Sequence, residues 1–523
     1  MDRKENLITY KQLVYVLVAF SIIIVSCFYF YLSSQNEIIG MIADDAIYML
    51  MADYFSPYNS SLRESAAFVM QTSQFPPLYP FLLSIVGANS GNIFWAHVIT
   101  TFFLILGIYF YYVWLQTEKV NKQIALCIVL LVMTSPATFL MNIDLWSEHL
   151  YLLLTFSIFF FLNKAEKNQK FLIITILLIS LLPLVRTIGI AFVAAYMLFL
   201  IVNKMTDKYK YLLLSIFPFF LWKLISYNYF QSDIYQSTLS DFYRHDIWLH
   251  IQHIYSSQLL DLWQGWHECF DIRRNDFSGI VCSIVLLFSF IGLTLRIIDK
   301  KLDSFYVVFY LLIILVWPDN NHNMRFIFPV FPILLFYACL SLQLCMKIIS
   351  ALQIKKIINS TSLFVILMTY LPTNLYALNR LSIDPELGLE KFKTTRYWLT
   401  VEKRTEAEHS IPIMERMRRS YIKSSTYIPE DACVYTAHQE QFMFYARKLA
   451  YPLPLPNELN NKDIFSKCDF IHVLHTTSHP EYPGGYPTKS LKHNFVYIMS
   501  YNMNEGTNSP VVAQLIKLEK NNL

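Results

Sequence analysis

Long runs of apolar residues follow one another through the first 376 residues and predict membrane-spanning helices. A helix needs about 20 apolar residues to cross the hydrocarbon core of a bilayer. Runs near this length predict about eleven spans, and the shortness of several runs widens the expected range to 10–13. The runs lie near residues 12–33, 92–115, 123–140, 148–162, 171–183, 187–202, 210–230, 277–298, 304–317, 326–346 and 359–376.

Residues 377–523 have a different pattern, made of short segments separated by polar residues and turns. Strand-like runs at 432–436, 469–474 and 495–500, with a helix-like stretch at 439–448, are typical of a small α/β domain. We therefore expect an α-helical polytopic membrane domain in residues 1–376. A soluble α/β domain is expected in residues 377–523.

The composition supports this division. Charged residues make up 15% of the chain and hydrophobic residues 55%, whereas soluble globular proteins have about 25% charged residues. Soluble, intrinsically disordered and small disulfide-rich classes are thereby excluded. Residues 1–376 hold 24 Lys or Arg and 22 Asp or Glu, against 18 and 16 in residues 377–523. The net charge of +4 is too weak to indicate nucleic acid as a partner.

Positive residues favour alternate loops, which predicts the orientation of the chain. With the N-terminus in the cytoplasm, 17 Lys or Arg lie on the cytoplasmic side and six on the other, as the positive-inside rule requires. With eleven spans, the C-terminal domain is extracytoplasmic, and so are a first outer loop at 34–90 and a large outer loop at 231–276. The usage, rich in Asn, Lys, Tyr and Ile, fits an AT-rich bacterial genome, and for a bacterium the expected location is the inner (cytoplasmic) membrane.

Two adjacent carboxylates, Asp44 and Asp45, lie in the first outer loop at the start of a helix-like segment. Apolar residues recur after them near helical spacing and predict an interfacial helix. A carboxylate beside a membrane surface is a usable proton acceptor. Asp44 is therefore the candidate general base, and Asp45 is its helper or an acceptor ligand. The alternative for Asp44 is a helix N-cap.

A proline-rich segment, Gln74-Phe75-Pro76-Pro77-Leu78-Tyr79-Pro80, follows in the same loop. Together with Asp44-Asp45 and Tyr48, it resembles the first lumenal loop of GT-C glycosyltransferases. The resemblance is to the protein-mannosyltransferase and aminoarabinose-transferase branch, where the patterns are Asp-Glu-x-x-Tyr and Lys-Pro-Pro-Leu. This chain departs from them conservatively at Asp45. It also has Phe75 in place of a lysine that some relatives use to hold phosphate.

Later segments resemble the same family in the same order. These are Ser147-Glu148 at the start of a span, Arg186-Thr187-Ile188-Gly189, Arg325 with Pro329 and Pro332, and residues 427–431 and 444–447 in the C-terminal domain. The resemblance implies an enzyme that moves a sugar from a polyprenyl-phosphate donor to a hydroxyl of a glycan, lipid or protein acceptor. It would act at the extracytoplasmic face, among membrane lipids.

The same resemblance implies roles for particular side chains. Asp44 and Asp45 would be catalytic, and the substrate-binding residues would be Glu148, Arg186, Arg325, Tyr48 and Gln74. Because the leaving group is a lipid monophosphate, fixed arginines can stabilise it without a cofactor. His250 and His253 are spaced for a metal, but no complete ligand set accompanies them. A divalent metal is compatible with the chemistry but is not indicated.

Structural alternatives stay open for the charged residues and cysteines. Arg186 and Arg325 lie at the outer ends of spans, where an ion pair with Glu148 or Asp144 would also satisfy them. Glu148 is equally suited to a hydrogen bond inside the helical bundle. Cys433 and Cys468 both lie in the predicted outer domain. They can form a disulfide if that compartment is oxidising.

Two other functions compete with the transferase. A flippase or transporter of a lipid-linked glycan would place ionisable residues near mid-membrane, often in two repeats. An O-antigen-type polymerase or ligase would need a large outer loop with paired arginines, and Arg273-Arg274 in loop 231–276 keeps this alternative open. The ionisable residues of this chain gather at one face, and the sequence shows no repeat, which favours the transferase.

Overall fold

A computed structural model describes most of the chain. The described residues are 20–34, 44–58, 62–73, 75–165, 168–205, 210–229, 252, 254–272, 275–317, 323–348, 365–375, 416–454, 465–475, 495–502 and 511–518. Contacts divide the chain into two compact units. The helical unit is Met1–Asn36, Gln74–Tyr79 and Ala96–Ile383, and the mixed unit is Glu37–Ser73, Pro80–Trp95 and Asp384–Leu523. The predicted domain boundary at 376 falls outside the described residues and stays a prediction.

All the regular secondary structure of the described residues up to 375 is helical. They are α1 Phe20–Ser34, α2 Asp45–Phe55, α3 Arg63–Ser73, α4 Leu78–Ile85, α5 Ile93–Thr117, α6 Lys122–Thr134, α7 Pro136–Met141, α8 Glu148–Ala165, α9 Gln169–Val185, a 3-10 turn Thr187–Gly189, α10 Ile190–Val202, α11 Lys210–Tyr229, a π turn Ile254–Gln258, α12 Leu259–Glu268, α13 Asp276–Ile298, α14 Leu302–Val316, α15 Asn323–Ile327, α16 Phe331–Ile348 and α17 Val365–Leu375.

Two of the predicted spans are interrupted. The run at 123–140 breaks at Ser135, whose hydroxyl accepts a hydrogen bond from the Thr138 amide and so caps a new helix that begins at Pro136. The run at 326–346 breaks at residues 328–330, between α15 and α16. Proline lacks an amide proton and is favoured at the start of a helix, so a break near Pro136 and Pro329 is physically expected.

The helical unit is held by close packing of apolar helices. Helix α13 packs along α16, α8 along α9, and α10 along α14. Gly292 of α13 lies so close to the backbone of Tyr337 in α16 that a Cβ there would collide with its carbonyl group. Small residues that let backbones approach are typical of helix contacts in membranes.

The helices have the composition of membrane spans. Among the described residues, α5, α11 and α13 are long and apolar enough to cross a bilayer by themselves. Seven further apolar helices have 10–17 residues. The chain is therefore a multi-pass α-helical membrane protein, as its sequence predicts, while the number of spans stays a prediction.

The mixed unit adds a small sheet to the helices α2 and α3. Its later elements are α18 at 416–425, β1 Val434–Thr436, α19 Gln439–Ala446, β2 Ala450–Pro452, β3 Phe470–Leu474, β4 Phe495–Asn502 and β5 Val511–Leu518. The strand order is β2-β1-β3-β5-β4. Strand β1 is parallel to β2 and β3, and β5 is antiparallel to β3 and β4. The predicted small C-terminal α/β fold is confirmed, with β2 and β5 added.

The two faces of the sheet bury different partners. On one face Tyr435, Ile471 and Ile516 form an apolar cluster with Phe465 and other buried side chains. A disulfide between Cys433 and Cys468 ties the residue before β1 to the segment before β3. On the other face His472 is fully buried, and its ring lies 5.1 Å from that of Tyr421 in α18.

Helix α2 is anchored within the mixed unit. It packs against α3 and against α19 of the sheet domain. The ring of Phe68 in α3 meets that of Tyr451 in β2 edge to face, with centroids 4.9 Å apart. The Arg447 guanidinium donates to the Ser90 carbonyl oxygen at 3.2 Å. The sheet domain therefore supports the helix that begins at the acidic pair.

Candidate active site

The acidic pair lies at the start of α2 in the mixed unit. Asp45 is the first helical residue and is only 2% exposed, whereas Asp44 is half-buried just before it. A carboxylate oxygen of Asp45 accepts a hydrogen bond from the Ala46 amide at 3.1 Å. A third acid, Asp53, is buried two turns later. The sequence thus places three carboxylates at or along one short helix, and carboxylates are among the groups that act as general bases.

Asp44 occupies the N-cap position but does not cap the helix through its side chain. Its carbonyl oxygen accepts the Tyr48 amide at 3.0 Å, and its carboxylate makes no capping hydrogen bond. The N-cap alternative therefore does not account for the carboxylate. Tyr48 lies on the next turn and is buried. Gln74, the other residue expected here to bind substrate, lies outside the described residues.

A second candidate group lies in the helical unit and is built around Glu148. This carboxylate, at the first residue of α8, is completely buried. Its Oε1 atom contacts both Nη1 of Arg186 and Nε of Arg325. We call Glu148, Arg186 and Arg325 the arginine-glutamate cluster. The ion pair that the sequence left open as an alternative is present, and it joins both arginines to one carboxylate.

Two residues just before Glu148 in the sequence, Trp146 and Ser147, contact this cluster. The Ser147 hydroxyl accepts from Arg186 Nη1 at 3.3 Å and donates to Glu148 Oε2 at 3.4 Å. The Arg325 guanidinium lies 4.0 Å above the ring of Trp146, in a cation-π contact. Trp146 could not be singled out from the sequence, because its role depends on α15 packing beside the loop before α8. The sequence pointed to Ser147 only because it directly precedes Glu148.

The backbone around Arg186 fixes its side chain in this position. Arg186 is extended, between the end of α9 and the 3-10 turn, and its amide donates to the Leu182 carbonyl oxygen at 3.0 Å. Gly189 is the last residue of that turn and lies against Leu182 and Pro183 of α9. A Cβ on Gly189 would lie 2.5 Å from the Leu182 carbonyl carbon and 2.6 Å from the Pro183 nitrogen. The Arg-x-x-Gly spacing therefore has a steric cause, since only glycine fits there.

Replacing Gly189 with Ala is expected to displace the turn that carries Arg186. Backbone atoms cannot yield as a flexible side chain would, so we expect a loss of about 1–3 kcal/mol of unfolding free energy. The measurement is thermal or denaturant unfolding of the purified protein in detergent. Gly279→Ala is the control, because its Cβ would meet only a His267 side-chain carbon at 3.5 Å. Equal stability of the two variants would contradict the steric argument.

The arginine-glutamate cluster has the chemistry of an anion site. Two guanidinium groups and one carboxylate leave one formal positive charge in a buried setting. The Arg186 side chain retains 14% exposure and that of Arg325 retains 6%. Arginine presents a planar fork that matches phosphate oxygens. The geometry thus places together three of the residues that the sequence singled out, and it suits a phosphate.

Among the described residues, no group of three or more His, Cys, Asp or Glu side chains is arranged to hold a metal ion. His250 and His253 lie outside those residues.

No protein-family model and no curated protein matches the sequence. In structure, the chain is similar to ArnT, an aminoarabinose transferase, from Cupriavidus metallidurans. Its crystal structure bound to undecaprenyl phosphate has a TM-score of 0.53 at 11% identity, covering 96% of this chain and 97% of that one. The apo state has a TM-score of 0.51 at 10% identity, covering 97% and 98%.

An oligosaccharyltransferase from Archaeoglobus fulgidus matches with a lower TM-score of 0.45 at 12% identity, over 86% of this chain and 67% of that one. A score of this size supports no further conclusion. The structural similarity to ArnT extends over nearly the whole of both chains. At 11% identity it is a similarity of fold. The fold of this chain is therefore similar to that of ArnT, as the sequence resemblance implies.

Proposed function

We propose that this protein is an integral-membrane glycosyltransferase that uses a polyprenyl-phosphate-linked sugar as its donor. The observation that carries the proposal is the buried arginine-glutamate cluster, in which two arginines are held around one carboxylate. ArnT from Cupriavidus metallidurans, which shares the fold, was solved with undecaprenyl phosphate bound. A lipid phosphate of this kind is the ligand we assign to the two guanidinium groups.

The proposed reaction transfers the sugar to an acceptor hydroxyl. The bond between the sugar anomeric carbon and the phosphate oxygen breaks, and its electron pair leaves with the polyprenyl phosphate. A new bond forms from the acceptor oxygen to the anomeric carbon, and Asp44 takes the proton of that hydroxyl. Asp45 assists Asp44 or holds the acceptor, while Tyr48 and Gln74 contact substrate.

Arg186 and Arg325 stabilise the charge that develops on the leaving phosphate. Glu148 is completely buried between the two arginines and orients both of them. Phe75 stands where relatives have a phosphate-binding lysine, so in this chain the two arginines would carry that role. The acceptor is a hydroxyl of a glycan, a lipid or a protein. No cofactor is required by this chemistry.

The test uses the purified protein in lipid nanodiscs or proteoliposomes, with a panel of radiolabelled undecaprenyl-phosphate sugars. Transferase activity predicts the appearance of sugar-free undecaprenyl phosphate together with labelled acceptor. A flippase predicts movement of the intact labelled lipid between leaflets without release. A diphosphate-linked glycan donor is assayed in parallel, and a polymerase or ligase predicts that only this donor gives a lengthened or relocated glycan chain.

We further propose that the enzyme lies in a bacterial inner membrane, with its N-terminus in the cytoplasm and its sheet domain outside. The disulfide between Cys433 and Cys468 supports this orientation, because disulfides persist in oxidising compartments. The charge bias of the loops supports it as well.

The state of the cysteines gives a prediction for this orientation. Cells are treated with an alkylating reagent under denaturing conditions, and the mass of the protein is measured before and after reduction. We expect six modified cysteines without reduction, because six are free in the structure, and the remaining pair only after reduction. Modification of every cysteine without reduction would place the sheet domain in a reducing compartment and contradict the orientation.

A further inference from the structure

One face of the sheet in the mixed unit is covered by the helices α18 and α19. His472, the middle residue of β3, lies on this face and is fully buried. Its ring centroid is 5.1 Å from that of Tyr421 in α18 and 5.2 Å from that of Phe442 in α19. Thr436 of β1 is its partner in the sheet register. The imidazole is therefore enclosed between the sheet and two helices.

The hydrogen bonds around His472 determine which ring nitrogen carries the proton. The Ser420 hydroxyl has a single proton, which it donates to the Met417 carbonyl oxygen at 2.7 Å. Ser420 Oγ therefore acts as an acceptor toward His472 Nε2, which lies 3.3 Å away. Nε2 carries the proton, and Nδ1 is left as the acceptor nitrogen. Nδ1 is buried and has no hydrogen-bond partner among the described residues.

A second proton on this ring has to be placed on Nδ1. The imidazolium would then bring a positive charge and an unpaired N–H donor into a closed space beside the rings of Tyr421 and Phe442. Burial without a partner is costly for a neutral polar group and more costly for a charge. The packed domain therefore accepts the neutral form of His472 and disfavours the charged form.

The charges around His472 do not favour its protonation either. The ionisable residues on or beside the surrounding elements are Arg416, Arg418, Arg419, Tyr421 and Lys423 of α18, Glu440 and Tyr445 of α19, Tyr435 of β1, His438 after β1, Asp469 and His475 at the ends of β3, and Lys517 of β5. No carboxylate among the described residues adds a favourable interaction. Burial, and after it the charges of His438 and His475, lower the pKa of His472 from its ordinary 6.5 to about 3.

This difference in pKa makes the packing of the domain depend on pH. When the domain opens, the imidazole of His472 returns to its ordinary pKa of 6.5 and binds a proton below that pH, whereas in the packed domain it stays neutral down to about pH 3. The open form therefore binds one more proton across this window, and a falling pH favours it. The stability that His472 contributes is complete above pH 6.5 and is lost as the pH falls from there towards 3.

We propose that His472 is a pH-sensitive contact that holds α18 against the sheet at neutral pH and releases this helix as the pH falls. The release is assigned to α18 for two reasons. This helix supplies both Ser420, the acceptor for Nε2, and the ring of Tyr421. It also carries four cations and no acid, so it repels an imidazolium. In the proposed orientation the sheet domain lies outside the cytoplasm, and the pH concerned is that of the outer compartment.

The test measures amide hydrogen exchange of α18 by mass spectrometry, on the full-length protein in nanodiscs at several pH values between 7 and 5. Dividing the intrinsic exchange rate at each pH by the observed rate gives a protection factor, which reports the opening of the helix. One proton bound only by the open form predicts that this factor falls about 25-fold from pH 7 to pH 5. His472→Gln keeps a donor for Ser420 but has no titrating group, so its protection factor should change far less.

His475→Gln is the matched control, because His475 directly follows β3 but is exposed, with Nε2 2.9 Å from Gln514 Oε1. It should keep nearly the full pH dependence of the wild type. If His472→Gln fails to fold, His472→Leu provides a second side chain that does not titrate. A wild-type protection factor that is constant between pH 7 and pH 5, or an equal fall in the wild type and a His472 variant, would overturn the proposal. Sugar transfer does not enter this readout, so the result is independent of the proposed enzyme function.

Discussion

Asp44→Asn is expected to lower the rate of sugar transfer by a factor of about 10²–10⁴, the usual contribution of a general base. The amide keeps the size of the side chain but cannot accept the proton of the acceptor hydroxyl. Since Asp44 is half-buried at the N-cap position, and asparagine suits that position as well as aspartate does, the substitution should leave α2 intact. The measurement is the turnover of a labelled polyprenyl-phosphate sugar at saturating donor.

Two comparison variants separate loss of a base from loss of the fold. Asp431→Asn changes an exposed acid of the same unit and should leave turnover unchanged. Asp45→Asn alters a buried side chain that accepts the Ala46 amide, so it is expected to affect both stability and turnover. Full turnover by a well-expressed Asp44→Asn protein would remove Asp44 from the role of base.

Glu148→Gln is expected to cost about 3–5 kcal/mol of unfolding free energy, because removing one partner of a buried ion pair leaves uncompensated charge. Here one carboxylate serves two arginines, and it is completely buried. The neutral amide would leave both guanidinium groups without their shared anion. The measurement is denaturant unfolding in detergent, and Glu64→Gln on the exposed side of α3 is the control.

Added lipid phosphate sharpens this second prediction. If the cluster holds phosphate, undecaprenyl phosphate should recover part of the stability lost in Glu148→Gln, because an anion then replaces the missing carboxylate. A variant as stable as the wild type would show that the arginines do not depend on Glu148. Stability lost without recovery by the lipid would leave the cluster with a structural role alone.

The sequence predicted the helical architecture well, because apolar runs near 20 residues have few alternatives. The predicted run at 148–162 is helix α8, Glu148–Ala165, and the run at 171–183 is helix α9, Gln169–Val185. Errors arose where a proline interrupts a run that is uniformly apolar. Hydrophobicity cannot show the break at Ser135 and Pro136, whereas the hydroxyl that caps the new helix is a local signal that could have been used.

The sheet domain was harder to predict than the helices. Strand β2 is only three residues long, and β5 has apolar residues outside a strict alternation, so neither stood out from its surroundings. Their existence depends on pairing: β2 adds to the outside of β1, and β5 is inserted between β3 and β4. Pairings between distant segments are set by tertiary structure and leave little trace in local sequence.

For the candidate site, residue type was more informative than position. Glu148, Arg186 and Arg325 stood out as ionisable residues at the ends of apolar runs, where such residues are rare. That Glu148 and Arg325 touch across 177 residues of sequence depends on the packing of helices.

The most direct test of the central claim is the ratio between sugar transferred and polyprenyl phosphate released by the purified protein. We predict one sugar-free lipid phosphate for each sugar delivered to the acceptor in the wild type. Asp44→Asn should still bind the donor but release almost none. Donor lipid that crosses the membrane with its sugar still attached, in both proteins and at equal rates, would contradict the account and favour a flippase.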